Sequence, residues 1–217
     1  MTTVSGEATR GELASPSLVE LATARLRHEI LGGLVDPGER LVEEQLTRQL
    51  GISRGPLREA LRLLAEQGLV EHLPRRGVRV ATLSPTDVRE LYAVRDVLER
   101  HALAAAYPPV APARLRALRT ALEDMRRGDR LDIADAHRRF HVALVALSGN
   151  RQLSLVYESV LVKLQLFMAV NLRREAELAR PTDGIQRHER LLRALRERDP
   201  AVVLTELSAH GARSYLD

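Results

Sequence analysis

Leu18, Ala22, Leu26 and Ile30 recur every fourth position behind Ser17-Leu18-Val19-Glu20, whose serine and glutamate have capping-box spacing. This predicts a first helix that stops at Gly32-Gly33, followed by a turn at Asp36-Pro37-Gly38. Leu46 and Leu50 mark a second helix over 42–50. Gly51-Ile52-Ser53 is a tight turn into a third, in which Leu57, Leu61 and Leu64 form the inward face. Ser53 stands where its hydroxyl can cap that helix, and Pro56 falls in the first turn, where no intrahelical donor is lost. Beyond Gln67-Gly68 the period changes to two: Leu69 to Leu73 and Gly77 to Val80 read as strands of a hairpin around Pro74-Arg75-Arg76-Gly77. Val78 and Val80 share one face and Arg79 the other.

From Ser84-Pro85-Thr86-Asp87 to the end the pattern is helical throughout. Helices are predicted over 85–106, 112–127, 131–147, 151–178, 183–198 and 200–215, with breaks at Pro108-Pro109, Gly128, Ser148-Gly149-Asn150, Pro181 and Asp199-Pro200. Six helices with short connections imply an antiparallel bundle. The expected fold is mainly α: a disordered tail over 1–14, a winged helix-turn-helix over 15–82 and an all-helical domain over 83–217.

Composition agrees with this and removes some classes. Aromatic residues make up 3% of the 217 and Trp is absent, so the core is built from Leu, Ala and Val, which favours helices. Without Cys there are neither disulfides nor thiolate metal sites. No apolar run approaches the ~20 residues a bilayer span needs, and residues 1–14 lack the apolar core of a signal peptide. A soluble, cytoplasmic protein without membrane partners is expected. The net charge is only +4, with Lys163 the sole lysine.

The positive charge is placed more tellingly than it is counted. Arg54, Arg58 and Arg62 step along one face of the third helix, projecting three guanidinium groups together. Alone, such a stripe reads equally well as a solvated surface. Here a short Gly-containing turn precedes it and a hairpin tipped by Arg75 and Arg76 follows. Two helices joined in this way present the second to the DNA major groove, N-terminus first, and a basic hairpin behind them is a wing.

In the bundle, His137 and His141 are one helical turn apart, so their rings leave one face with Cβ atoms about 5–6 Å apart. That spacing suits two ligands on one metal. His188 and His210, on the last two predicted helices, can be brought beside them. Imidazole suits zinc, nickel or cobalt. An isolated histidine pair is more often ordinary packing than a ligand site, and His28, His72 and His101 are read as surface or packing residues. Four histidines around a metal also fit a metal-dependent hydrolase. Against that stand the lack of a glutamate adjoining the pair as base and the presence of a DNA-binding head.

Residues 19–80 resemble the winged helix-turn-helix of the GntR family of bacterial transcription regulators. The resemblance is carried by Asp36-Pro37-Gly38-Glu39-Arg40-Leu41, Leu46 through Arg54, Pro56-Leu57-Arg58-Glu59-Ala60-Leu61, Leu64, Glu66 through Val70, and Arg76-Gly77. It implies DNA contacts from Ser53, Arg54, Gly55 and Arg58, with Arg75, Arg76 and Gly77 at the wing tip. Some relatives use a basic residue early in the second helix; here Glu43 and Glu44 lie near that place, and Arg40 or Arg48 can substitute.

Residues 84–217 resemble the FCD effector domain of the FadR subfamily, through Arg95 with Leu98-Glu99, Phe140-His141, Ser148-Gly149-Asn150, His188-Glu189 and His210. In metal-binding members three histidines and an aspartate hold a divalent ion. The histidines match His141, His188 and His210, but the aspartate's position is taken by His137. A neutral imidazole in place of an anion leaves the site one unit more positive, with softer preference toward zinc, nickel or copper. Asp135, six residues before His141, should point elsewhere. The resemblance further implies a small organic-acid effector held by the metal and Arg95, a homodimer, and an inverted-repeat operator, with repression relieved by ligand. A metal-free cationic pocket is the alternative, and Arg95 can instead simply pair with Glu99, one turn on.

Overall fold

The computed structural model describes residues 16–106, 112–128, 130–177, 182–197 and 199–210. The tail expected over 1–14, the break at Pro108-Pro109 and the helix end beyond His210 lie outside them. Among the described residues the fold is mainly α, with a winged helix-turn-helix at the N-terminus and a helical bundle behind it.

The head begins with α1 (Leu18–Leu31). Ser17 Oγ accepts from the Glu20 backbone N–H, and the Glu20 carboxylate accepts from that of Ser17, so the capping box closes in both directions. Ala22, Leu26 and Ile30 are buried as their spacing requires, but Leu18, the first residue of the helix, is 56% exposed. α2 (Glu43–Leu50) ends at Gly51, whose left-handed φ of 64° turns the chain into α3 (Arg54–Glu66). Leu57, Leu61 and Leu64 are fully buried, each contributing about 1.5–3 kcal/mol relative to an exposed side chain. Ser53 occupies the N-cap with extended backbone, yet its hydroxyl makes no capping bond, so position rather than side chain ends the turn.

The hairpin is β2 (Val70–Leu73) paired antiparallel with β3 (Gly77–Val80), with Val70 opposite Val80. Val78 and Val80 are buried, and Arg79 on the other face pairs with Glu71 at 2.9 Å. The hairpin is not alone: β1 (Arg40–Leu41) joins the far side of β3, giving the order β1-β3-β2. Two residues are too few to show alternation, so sequence reading missed this strand. The wing is thereby clamped to the Asp36–Glu39 turn that precedes it.

Six helices follow: α4 (Pro85–Ala106), α5 (Arg116–Arg127), α6 (Arg130–Ala146), α7 (Arg151–Glu177), α8 (Thr182–Glu197) and α9 (Pro200–His210). Ser84 caps α4 reciprocally with Asp87, and Asn150 Oδ1 accepts from the Leu153 N–H at the start of α7. Residues 112–115 form turns, so α5 starts later than its pattern suggested. α6 packs on both α5 and α7, α4 on α7, and α8 on α9. Leu166 of α7 is buried in the head's apolar core, which ties the two parts together. No described helix is long and apolar enough to cross a membrane.

Candidate metal centre and nucleic-acid interface

α6 carries His137 and His141 one turn apart, α8 brings His188 and α9 brings His210. The four rings converge, with possible ligand atoms all within 4.8 Å of one another. His141, His188 and His210 are buried and His137 is half-buried. Among the described residues Phe140 is fully buried beside them, its ring 4.8 Å from that of His188.

Hydrogen bonds around His141 assign its tautomer. Glu99 Oε1 lies 2.8 Å from Nδ1, and a carboxylate can only accept, so Nδ1 carries the proton. Nε2 then presents a lone pair, with Arg95 Nη2 and His210 Nε2 each 3.0 Å away. His210 Nδ1 is buried and has no hydrogen-bond partner among the described residues. An unpartnered buried ring nitrogen among four converging imidazoles, with a carboxylate behind one of them, is a donor set that fits a divalent transition metal.

Glu99 also accepts from Arg95 Nε at 3.0 Å and from the Tyr157 hydroxyl. A terminal nitrogen of Arg95 lies 3.0 Å from each ring nitrogen of His141. Arg95, Glu99 and Tyr157 are all buried, so one anion and one cation are sealed behind the histidines.

The winged head presents an exposed, cationic surface. Arg54, Arg58, Arg75 and Arg76 are exposed, and Arg54 has no partner among the described residues. Arg75 has φ 60° and Gly77 φ 87°, both in the left-handed region that the tight turn of the wing tip requires. The Arg40 side chain lies over Gly77, 3.8 Å from where a Cβ would stand. Gly55 is exposed, with nothing within 4 Å of the same point. Arg58 Nε is 3.1 Å from both oxygens of Glu43, across from α2. Arg48 is held by Glu44 at 3.1 Å.

The model for the FCD domain matches residues 90–213, and that for the gntR family of bacterial regulatory proteins matches residues 18–80. The chain is a GntR-family transcriptional regulator with an FCD domain. The uncharacterized HTH-type transcriptional regulator YdhC of Bacillus subtilis is 34% identical over 141 residues, which is 63% of each chain, so the match spans less than two thirds of that relative. The gluconate operon transcriptional repressor of Bacillus licheniformis is 26% identical over 190 residues, covering 84% of this chain and 77% of that one. The solved structure of E. coli McbR/YncC superposes with a TM-score of 0.75 at 26% identity, over 93% of this chain and 96% of the other. These families and relatives are regulators, so the chain is not an enzyme and the hydrolase alternative is set aside.

Within this GntR regulator all four histidines named from sequence lie together, and Asp135 turns away to pair with Arg138 and Arg139. Arg95 does pair with Glu99, while its Nη2 reaches His141 in the cluster. Arg62 is exposed and pairs with Glu59 and Glu66 on its own helix. Sequence reading missed Tyr157 and gave Glu99 no part in orienting His141. Tyr157 is far along the chain on another helix, and no local pattern signals it. The Glu43–Arg58 pair was missed for the same reason.

Burial is the first cause that lowers the proton affinity of His137, His141 and His210, and the charge of Arg95 and of neighbouring histidines adds to it. Their folded values lie well below 6.5, so between the two the unfolded chain binds more protons. Stability is complete above that usual value and is lost as pH falls beneath it, by up to about 1.4 kcal/mol per pH unit for each histidine. Metal-stripped protein is therefore expected to melt progressively lower from pH 7 to pH 5. A flat melting temperature would refute a buried neutral cluster.

Proposed function

We propose that this chain is a ligand-responsive repressor that binds an inverted-repeat operator as a homodimer and senses a small carboxylate at a metal centre in the bundle. The observation that carries the reading is the convergence of four imidazoles on a buried Glu99–Arg95 pair, within a chain headed by a winged helix-turn-helix. The proposed division runs between a head of residues 15–82 and an effector and dimerisation part of 83–217, with Ala81-Thr82-Leu83 as the hinge. Such a regulator works in the cytoplasm, where its DNA is.

His137, His141, His188 and His210 would hold the ion, zinc or alternatively nickel. When bound, it supplies a positive charge that anchors a carboxylate oxygen. The chain's own residues do the rest. Glu99 keeps His141 in the tautomer that directs Nε2 inward. Arg95 stays tied to Glu99 through Nε and offers a terminal nitrogen to the effector's second oxygen. A sugar acid is a reasonable first ligand to try, given the gluconate operon repressor among the relatives. On the DNA side Arg54 and Arg58, with Ser53 and Gly55 at the helix start, enter the major groove. Arg75, Arg76 and Gly77, with Arg40, follow the backbone, and Arg48 is a further phosphate contact once released from Glu44. Closed two-fold symmetry in the protein matches a palindromic site.

Metal analysis of natively purified protein tests the centre. We expect about one divalent transition-metal ion per chain, depleted in His137→Ala, with pooled carboxylic acids binding only to the loaded form. Protein purified free of metal, yet responsive to carboxylates, would favour the cationic pocket around Arg95. Light scattering that finds a monomer even on DNA would overturn the dimer.

A further inference from the structure

A cavity of about 530 Å³ lies between head and bundle, walled by α1, the end of α3, α6 and α7, and neither site described above uses it. Three buried polar atoms without a hydrogen-bond partner among the described residues belong to its wall: Arg27 Nε, Gln67 Oε1 and Gln165 Oε1. Native proteins carry few such atoms, and three gathered around one space call for a shared cause. The orientation of Gln165 is settled by its Nε2, which donates to the Ala134 carbonyl at 3.1 Å, so the orphan there is an acceptor.

The charges of the wall are only partly matched. Glu20 closes the capping box with Ser17, and Asp135 is held by Arg138 and Arg139. Arg27 and Glu158 line the same space and make no hydrogen bond or ion pair among the described residues. Burial and the nearby Arg138 charge both work against the Arg27 cation, and the Glu158 charge only partly offsets them, so a further anion beside it would be welcome. The wall thus offers one guanidinium for a carboxylate and, apart from it, two amide oxygens and a carboxylate for N–H donors.

We propose that this head–bundle cleft is a second ligand site, separate from the histidine cluster, for a zwitterionic amino-acid-like molecule. Its carboxylate pairs with Arg27, and its ammonium group is shared by Gln67, Gln165 and Glu158. The volume admits a long side chain as well. α6 presents Ala134, Asp135 and Arg138 to the cleft and His137 and His141 to the cluster, so an occupant touches the head and the helix that leads to the other site. It would thereby set the angle of the head without contacting DNA.

Calorimetric titration of the full-length chain with each of the twenty common L-amino acids tests this. At least one is expected to bind, and to bind equally after EDTA treatment, since no metal takes part. Arg27→Gln, which removes the cation, and Ala24→Trp, which fills the cleft from an exposed position in its wall, should each weaken binding about ten-fold or more. No binding by any amino acid overturns the proposal. So does binding that needs metal, or that survives either substitution in a variant with wild-type circular dichroism. Failure of the metal reading would leave the expected result unchanged.

Discussion

Replacing Glu99 by alanine is expected to destabilise the bundle by about 3–5 kcal/mol, because the Arg95 cation would be left buried and unpaired. Glu99 is the shared acceptor of Arg95, His141 and the Tyr157 hydroxyl, and all four side chains are inaccessible to water. Burial by itself disfavours the Arg95 charge, and Glu99, assisted by Tyr157 and Tyr92, more than reverses that. The same pair at the surface would be worth under about 1 kcal/mol, so location decides the magnitude. Glu99→Gln keeps the shape and one acceptor but not the anion, and should fall between. Urea unfolding reads the stability. In proteins that stay folded, zinc affinity should drop about 10–100-fold through loss of the His141 tautomer. A loss below ~1 kcal/mol would mean that Arg95 has another anion.

Arg58→Ala is expected to abolish preference for the operator over random DNA. A bidentate arginine–guanine contact contributes ~1–3 kcal/mol of discrimination, and a dimer makes it twice. Arg58 is not free in the structure, since Glu43 holds it. That exposed pair is worth at most about 1 kcal/mol, less than the base contact, so DNA wins the competition. Arg76→Ala should behave differently, weakening all sequences alike and lowering the salt slope by about one per head. Titrations of operator and random fragments over a salt series separate the two effects. If neither variant changes binding, α3 does not read the groove.

The head could be read from sequence almost element by element, since its determinants are local. The Ser17–Glu20 box, the left-handed Gly51 and the Leu57-Leu61-Leu64 stripe each act within a few residues. The same holds for the helix count of the bundle, where proline and glycine punctuate an apolar period. His137 and His141 stand out because they share a helical turn; His188 and His210 bear no local mark, and their place on the last two helices only allows them beside the pair, with the family pattern naming them as ligands.

What sequence by itself determined here is thus the order of elements, their inward faces, and which residue types were available for chemistry. Those follow from short-range sterics and periodicity. Tertiary structure alone decided which charges are spent. Arg58 meets Glu43, Arg27 makes no hydrogen bond or ion pair among the described residues, and the Arg95–Glu99 pair disappears beneath four imidazoles. A side chain's partner depends on helices packed from distant parts of the chain, and so does the strength of the pairing. An arginine's number in the sequence reveals neither.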